Sequence, residues 1–284
     1  KPPNARWLIL AEYEDNFDIS LYSSPILAAD NLRECLWDTC AGAVLTSATL
    51  SALGNFEMLK LKAGLPSHAT YLRIASPFDF QKSAVFSVPK LGCEPSDSEN
   101  HTKLIAKAIP KVLTLTDGAL VLFSSRRQMQ DVIQCLTTSW NELILCQDDY
   151  TKFELLKYHR QRIDQGKGSI IFGLASFAEG VDLPGRYCEN VLIAKIPFSI
   201  PNDPVEITLA HWIERQGHNP FMTLSVPDAA LKLVQASGRL LRNESDKGRI
   251  TLFDERIINR RYGNIMLNSL PPYRREIFSE DFSD

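Results

Sequence analysis

The sequence predicts an α/β protein in which helices cover both faces of a parallel β-sheet. From residue 42 onward, short apolar segments of strand length alternate with amphipathic segments of helix length. This alternation is typical of parallel sheets, because each crossover between neighbouring parallel strands usually passes through a helix. A chain of 284 residues with 44% hydrophobic content is also long enough to bury a complete core.

Each element follows from local composition, taken in chain order. The first forty residues contain two β-rich segments, 6–13 and 18–23, which are joined at Asp15-Asn16 and followed by a helix over 26–39. Further strands are predicted at 42–47, 70–75, 83–88, 118–124, 142–146, 168–173, 189–196 and 248–254. Helices are predicted at 100–115 with a kink at Pro110, and at 126–138, 150–165, 205–216, 226–242 and 257–268. A Pro-rich loop spans 196–204, and the tail at 273–284 is expected to be exposed and frayed.

Composition excludes several classes of protein. The net charge of −3 argues against nucleic-acid binding by bulk attraction, so any such contact must be local. No apolar run approaches the roughly 18 residues that a membrane span requires, and no signal-peptide pattern is present. The six cysteines form no C-x-x-C pair, and neither they nor the five histidines have metal-ligand spacing. We therefore expect reduced thiols, no metal site and a cytoplasmic location.

The most informative segment is 235–242, which has the form Q-x-x-G-R-x-x-R. On a continuous helix, Gln235, Arg239 and Arg242 would share one face, because they are four and seven residues apart. Gly238 would leave the helix surface bare beside them, so that a large polyanion can come close. Two guanidiniums and an amide on one surface suit a triphosphate during transfer of its γ-phosphoryl group. The alternative is an amphipathic helix with two exposed arginines.

The loops after the predicted strands are the other candidate sites, because ligands of open parallel sheets bind beyond the carboxyl ends of the strands. Ser124, Ser125 and Arg126 follow one strand and open a helix. Two hydroxyls, free N–H groups and an arginine predict a phosphate site there. The alternative is an ordinary serine helix cap with solvated arginines.

The loop 173–185 contains two acids, three glycines and one hydroxyl group, which is more polar than packing requires. We predict that it faces phosphates through Ser176 and backbone N–H groups, and a ribose through Asp182. A purely structural turn is the alternative. A second hydroxyl-rich turn, Thr46-Ser47-Ala48-Thr49, follows the predicted strand 42–47.

The sequence lacks the groups that bind a nucleotide first. It has no G-x-x-x-x-G-K-[ST] phosphate loop, no Asp-Glu pair in a D-E-x-H context to hold Mg²⁺, and no four-cysteine cluster pattern. It also has no G-x-S-x-G, which argues against an α/β-hydrolase. The chain therefore carries groups that could complete a nucleoside triphosphate site that another domain begins.

In this order, these segments resemble the motifs of the second motor domain of a superfamily 2 helicase, a P-loop NTPase. Within that superfamily they resemble the XPD-like branch and its bacterial DinG helicases. The resemblance spans roughly residues 40–272 and implies a RecA-like parallel sheet with helices on both faces. The matching segments are 45–50 (motif III), 119–125 (motif IV), 176–182 (motif V), 235–242 (motif VI), and the intervening 76–78, 196–198 and 224–229.

The resemblance implies the C-terminal motor half of an ATP-dependent 5′→3′ DNA helicase that acts in DNA repair or replication. It implies that Arg239 and Arg242 are arginine fingers and that Gln235 senses the γ-phosphate or its water. The residues implied in nucleotide binding and coupling are Glu179, Gly180, Asp182, Gly238, Ser47 and Thr49. The residues implied in DNA binding are Ser124, Ser125, Arg126 and Ser176.

The implied partners are single-stranded DNA and the first motor domain of the same polypeptide. That domain would supply most ligands of ATP and Mg²⁺, and an iron–sulfur cluster is expected in the full-length protein but not in this chain. The chain opens at Lys1 without a methionine, so we interpret it as a piece of a longer protein that is inactive as an ATPase alone. The expected organisation is an upstream arch or first motor region ending at 1–40, a RecA-like helicase domain at 41–272, and the tail.

Two other interpretations remain open. In the first, the chain is a non-catalytic module with a RecA-like fold that docks a nucleic acid or a partner. In the second, it is a scaffold with a degenerate RecA fold. Gln235, Arg239 and Arg242 favour the motor, because a pure binding module has no need of γ-phosphate chemistry.

Overall fold

The computed structural model describes residues 1–13, 16–174, 176–177, 179–199 and 202–282. The chain divides into two compact units, one of residues 1–74 with 198–231 and the other of residues 75–197 with 232–284. This division differs from the single domain expected over 41–272. The predicted features outside the described residues are Asp15 of the first turn, Ala175 and Ala178 of the loop 173–185, positions 200 and 201 of the Pro-rich loop, and 283–284 of the tail.

The elements have the following bounds. The strands are β1 (Asn4–Tyr13), β2 (Asn16–Pro25), β3 (Ala84–Lys90), β4 (Gly118–Phe123), β5 (Ile144–Cys146), β6 (Ser169–Leu174), β7 (Asn190–Ile193), β8 (Gly248–Leu252) and β9 (Arg274–Asp281). The helices are α1 (Ala29–Leu32), α2 (Glu57–Ala63), α3 (Phe80–Ser83), α4 (Ser98–Val112), α5 (Arg126–Cys135), α6 (Thr138–Asn141), α7 (Lys152–Asp164), α8 (Pro204–Arg215), α9 (Val226–Ser237), α10 (Arg256–Asn259) and α11 (Arg261–Ser269). Two π-helical turns occupy Arg33–Trp37 and Phe221–Ser225, and a 3₁₀ turn occupies Gly185–Tyr187.

The first unit contains an antiparallel hairpin of β1 and β2. Its small core packs Ala5 and Ile26 against Leu209 and Ile213 of α8. Helix α8 begins where it does because the Asp203 carboxylate accepts hydrogen bonds from the first free backbone N–H groups of the helix. The hairpin and α8 are therefore held by one shared apolar cluster.

The second unit contains a seven-stranded sheet in the order β5-β6-β4-β7-β8-β3-β9, and every pairing between its strands is parallel. All six residues of β4 are buried, as expected for an inner strand of a sheet that helices cover. Phe123 and Phe172 pack ring against ring on neighbouring strands, with centroids 5.1 Å apart. The predicted α/β class and parallel sheet are confirmed.

The strands predicted at 42–47 and 70–75 are wrong. Neither segment forms regular structure, and side chains expected to be buried are exposed, including Val44 at 92% and Ile74 at 85%. A single apolar segment becomes a strand only when a neighbour pairs with its backbone groups. Among the described residues, no strand pairs with either segment.

The tail, expected to fray over 273–284, instead forms β9 along the free edge of β3. The Phe282 backbone N–H donates to the Lys90 carbonyl oxygen at 2.7 Å, and the Phe282 side chain is buried beside the Lys111 ammonium. Tyr273, immediately before the strand, is also buried. The end of the chain is therefore an integral strand, because β3 would otherwise leave its backbone groups unpaired on that side.

Three helix predictions need smaller corrections. The helix predicted over 26–39 is a short α-helix that continues as a π-helical turn. The helix predicted over 257–268 is two helices, because the backbone of Arg260 between them is extended. Helix α9 ends at Ser237 rather than at 242. Pro110 lies inside α4, which continues to Val112.

A buried histidine fastens α7 to the sheet. His159 Nε2 lies 2.7 Å from the Tyr187 carbonyl oxygen, and Nδ1 lies 2.9 Å from Ser169 Oγ. Because a carbonyl oxygen only accepts, Nε2 carries the proton and Nδ1 accepts from the serine hydroxyl. Burial lowers the pKa of His159 from 6.5 to about 4.

The neutral state of His159 makes stability depend on pH. In the unfolded chain this group takes up a proton as the pH falls below about 6.5, whereas in the folded chain it resists protonation until about 4. The stabilisation that the buried, neutral His159 provides is therefore present above pH 6.5 and is lost as the pH falls towards 4. We expect the free energy of unfolding to decrease by about 2 kcal/mol between pH 7 and pH 5 through this group.

The measurement is urea unfolding of the wild type and of His159→Gln at pH 7 and pH 5. Glutamine cannot titrate, so the stability difference between the two proteins should narrow by that amount at the lower pH. If the stability difference between the wild type and His159→Gln stays constant with pH, the lowered pKa of His159 is contradicted.

Candidate functional site

The two arginines of segment 235–242 converge on one backbone carbonyl group. Arg239 Nη1 donates to the Val181 carbonyl oxygen at 3.2 Å, and Arg242 Nη2 donates to the same oxygen at 2.5 Å. Arg242 Nε also lies 3.3 Å from Asp182 Oδ1, which forms an ion pair. The structure therefore brings Arg239, Arg242 and Asp182 together at the loop that connects β6 to β7.

The arginines do not share a helix face with Gln235, and that expectation is wrong. Gln235 lies on α9, but the chain leaves the helix after Ser237, and the Arg239 backbone N–H donates to Ala236 three residues back. Two local causes end the helix. Gly238 has a low helix propensity, and the Ser237 hydroxyl donates back to the Val234 carbonyl oxygen at 3.0 Å.

Asp246 holds the turn that carries Arg242, and sequence reasoning missed it. Its Oδ2 accepts from the backbone N–H groups of Arg242 and Asn243, each at 2.8 Å. Its Oδ1 accepts from the Gly185 N–H at 3.2 Å. One buried carboxylate therefore ties the arginine turn to the loop after β6. Its position four residues after Arg242 was the available signal.

Arg239 is removed from water and lies beside a second cation. Burial, and then the neighbouring Arg242, lower the pKa of Arg239, while Glu179 and Asp182 act in the opposite direction. Arg239 Nε is buried and makes no hydrogen bond to any residue that the structure describes. The pair of partly buried guanidiniums therefore keeps an N–H group that donates to no described residue, which suits an anionic ligand.

The loop after β6 is anchored by two cations of α7. Lys152 donates to the Glu179 carbonyl oxygen, and its ammonium lies 5.2 Å from the centre of the Phe177 ring. Arg160 Nη2 donates to the Asp182 carbonyl oxygen at 2.7 Å. Gly180 has a φ of +70°, a conformation that favours glycine at this turn. The sequence analysis did not single out either cation.

Ser124, Ser125 and Arg126 lie at the carboxyl end of β4, which is the neighbour of β6. Ser125 caps α5 by accepting from the Gln128 N–H at 3.4 Å, so the ordinary cap that the sequence left open is present. Ser124 is exposed, as is Ser176 across the adjacent strand end. Arg126 Nε lies 3.1 Å from Asp148 Oδ1 at the end of β5.

The remaining candidate residues are Ser47, Thr49 and Gly238. Ser47 and Thr49 belong to the first unit, where the two hydroxyl oxygens are 3.3 Å apart in an exposed turn. Because the strand at 42–47 is absent, this turn does not follow a strand as predicted. Gly238 lies in the turn after α9 and is exposed.

Two further features bear on the site. In the described part of the chain, no group of three or more His, Cys, Asp or Glu side chains is placed to hold a metal ion. Within the same residues, every helix is too short or too polar to cross a membrane.

Comparison with known proteins identifies the family. The model of the family "Helicase C-terminal domain" matches residues 109–273, more than half of the 284 residues. The chain belongs to this family. The match covers Val181, Asp182 and both arginines, whereas Ser47 and Thr49 lie outside it.

The relatives include the ATP-dependent DNA helicase DinG of Photobacterium profundum, which is 43% identical over 282 residues. That alignment covers 97% of this chain and 40% of the relative. DinG of Escherichia coli (strain K12) is 32% identical over 277 residues, with 95% of this chain and 38% of the relative covered. This helicase C-terminal domain therefore spans about two fifths of the length of the curated relatives it matches.

Solved structures agree on the fold. An XPD helicase superposes on 95% of this chain and 48% of its own with a TM-score of 0.65 at 18% identity. A second structure, of XPD in its apo form, gives 0.59 at 16% identity over 95% of this chain and 54% of its own. The RecA-like fold and the resemblance to DinG-type, XPD-like members of superfamily 2 are confirmed.

Removing the Asp246 carboxylate should loosen the arginine turn. Asp246→Ala leaves three backbone N–H groups without their acceptor, so we expect the free energy of unfolding to fall by about 1–3 kcal/mol. Hydrogen exchange at Gly185, Arg242 and Asn243 should become faster. Mass-spectrometric exchange of the helicase C-terminal domain provides the measurement.

Glu244→Ala is the matched control, since Glu244 is an exposed acid in the same turn with no hydrogen bond among the described residues. Equal exchange rates in Asp246→Ala and the wild type would contradict the anchoring role.

Proposed function

We propose that this chain is the C-terminal motor half of an ATP-dependent 5′→3′ DNA helicase that acts in DNA repair or replication in the cytoplasm. In this proposal it closes over ATP held by the first motor domain of the same polypeptide and contacts single-stranded DNA. The names of the DinG relatives support an ATP-dependent helicase. The observation that carries the proposal is the convergence of Arg239 and Arg242 on one carbonyl oxygen beside Asp182.

The proposed role of the two arginines follows from their surroundings. In the structure each guanidinium donates to a neutral carbonyl oxygen, although two positive charges lie side by side. The γ-phosphate oxygens are stronger acceptors for guanidinium groups than an amide carbonyl, because the hydrogen bond is then assisted by charge on both sides. Closure over ATP would exchange Val181 for the phosphate and reduce the repulsion between Arg239 and Arg242. The interaction would be strongest when charge builds up on the transferring group.

The remaining residues have supporting roles in this proposal. Gln235 would position the γ-phosphate or the attacking water, and Asp182 would link the arginine pair to the loop that faces DNA. Glu179, Gly180 and Gly238 would complete that coupling surface. Ser124, Ser125, Arg126 and Ser176 would contact the DNA backbone, since they lie at neighbouring carboxyl ends of the sheet. Ser47 and Thr49 would contribute to the link between motor domains.

In this proposal, other parts of the full-length protein supply most of the groups that bind the cofactors. The sequence has no phosphate loop and no D-E-x-H pattern to hold Mg²⁺. The proposal therefore places the phosphate loop and the Mg²⁺ ligands on the first motor domain. It places an iron–sulfur cluster outside this chain, because the six cysteines have no cluster spacing.

The isolated 284-residue chain should hydrolyse no ATP above background. Charge neutralisation by phosphate-loop and metal groups supplies most of phosphoryl-transfer catalysis, and this chain carries neither. Phosphate release with and without single-stranded DNA is the measurement. DNA-stimulated hydrolysis by the isolated chain would refute the division of labour between two domains.

Replacing either arginine in the full-length protein should abolish its motor activity. Loss of an arginine finger reduces turnover by about 10³–10⁵ in well-studied systems, so we expect Arg239→Ala or Arg242→Ala to lower DNA-stimulated ATPase by at least about a hundredfold. Unwinding should be lost, whereas ATP affinity should change much less. The measurements are steady-state ATPase, strand separation and equilibrium nucleotide binding.

The control for these variants is Arg186→Ala, since Arg186 is an exposed arginine that pairs with Asp164 near the opposite edge of the sheet. Because Arg239 and Arg242 are partly buried and hydrogen-bonded, rather than exposed on a helix face, we expect each variant to lose about 1 kcal/mol of stability. Normal ATPase with a large loss of stability would show that the pair is structural.

A further inference from the structure

A lysine at the carboxyl end of β7 has no partner among the residues that the structure describes. Lys195 is partly buried and makes no hydrogen bond or ion pair with any of them. Removing a cation from water without a partner is unfavourable, and the pKa of Lys195 is lowered by burial and by the neighbouring Arg256. A surface lysine that only covers apolar area would keep its ammonium fully hydrated.

The acid nearest to Lys195 is already committed. Asp254 Oδ2 accepts from Arg256 Nη2 at 2.7 Å and from the Ile196 N–H at 2.9 Å. Asp254 Oδ1 accepts from the Arg256 backbone N–H at 3.1 Å and from its Nε at 2.9 Å. The attraction of Asp254 for Lys195 is therefore offset by the repulsion from Arg256, and both act on the lysine.

The imidazole of His101, which lies near Lys195 and Asp254, adds no charge. His101 Nε2 lies 2.7 Å from the Phe253 carbonyl oxygen, and Nδ1 lies 3.0 Å from the Gln128 side-chain nitrogen. Burial lowers the pKa of His101, so the ring is neutral at physiological pH. Lys195 therefore keeps an uncompensated positive charge at this strand end.

Strand register places Lys195 beside a candidate DNA contact. Leu122 of β4 pairs with Ile193 of β7, and the ladder continues with the Ala194 N–H donating to the Leu122 carbonyl oxygen at 2.9 Å. Ser124 and Lys195 each follow this pair by two residues, so the register places them opposite each other just beyond the two strands. An exposed hydroxyl and an unpaired ammonium thus adjoin at the carboxyl edge, where ligands of parallel sheets bind.

We propose that Lys195 binds a backbone phosphate of single-stranded DNA next to Ser124. The inference rests on the proposed function and adds one contact to it. A lysine acts on phosphate as a point charge and reads no base, so the contact is independent of sequence. In a protein with a net charge of −3, such a local contact supplies attraction that the surface as a whole does not.

The test measures binding of a fluorescein-labelled thymidine single strand to the full-length protein between 50 mM and 1 M salt. Each phosphate contact to a single strand contributes about −0.7 to the slope of log K against log salt. Lys195→Gln should therefore make the slope shallower by about 0.7 and weaken binding about fivefold at 0.1 M salt, with the difference vanishing near 1 M. Lys195→Arg, which keeps the charge, should retain most of the wild-type slope.

Lys167→Gln is the matched control, because Lys167 is an exposed lysine that precedes β6 and so lies at the amino ends of the strands, away from Ser124. An unchanged slope in Lys195→Gln, or an equal change in both glutamine variants, would overturn the inference. A large fall in melting temperature of Lys195→Gln would also overturn it, since the lysine would then be structural. ATPase of the Arg242→Ala variant is measured in parallel. If Lys195→Gln keeps the wild-type salt slope while Arg242→Ala loses its ATPase activity, only the Lys195 contact is rejected. If the wild-type protein does not bind single-stranded DNA, both proposals are rejected.

Discussion

Two guanidinium groups sharing one carbonyl oxygen is an arrangement that carries a cost, since the like charges repel and both are partly removed from water. Arg239 and Arg242 are held in this arrangement at Val181 by the turn after α9 and by the ion pair with Asp182. The turn in turn depends on Asp246, whose two carboxylate oxygens accept three backbone N–H groups. The position of Arg242 is therefore fixed by a buried carboxylate, whereas Arg239 Nε donates to no described residue.

Charged groups near the carboxyl ends of the strands also differ in whether the protein itself provides a partner for them. Some charges there are fully used within the protein, such as Asp254 with Arg256, and these pairs shape the loops. Others have no such partner, and Lys195 is the clearest case among the described residues. A ligand that carries regularly spaced negative charge would compensate these positions one after another. Lys195 follows β7 directly, whereas the arginine pair is held by the loop between β6 and β7.

Local sequence predicted the inner strands of the sheet and the helices that cover it. The apolar segment 118–124 became β4, and Thr151 with Glu154 formed the capping box that starts α7 where a helix was expected. It failed for 42–47 and 70–75, because strand formation needs a pairing neighbour and hydrophobicity does not supply one. It also failed for the tail, since charged residues at 274–281 looked solvated although β3 offered a free edge for pairing.

The sequence by itself determined the class of fold, the family and the candidate residues, because alternating apolar segments and motif order are local properties of the chain. It also predicted that Arg239 and Arg242 act as a pair and, by resemblance, that Asp182 couples the nucleotide to DNA. Only the tertiary structure decided how they meet. Helical spacing suggested one face of α9, but the helix ends at Ser237, and the contact is made through a turn and the carbonyl of Val181. The contacts of Asp246 and the lack of a partner for Lys195 among the described residues emerged only from the fold, since each depends on which groups the fold brings near.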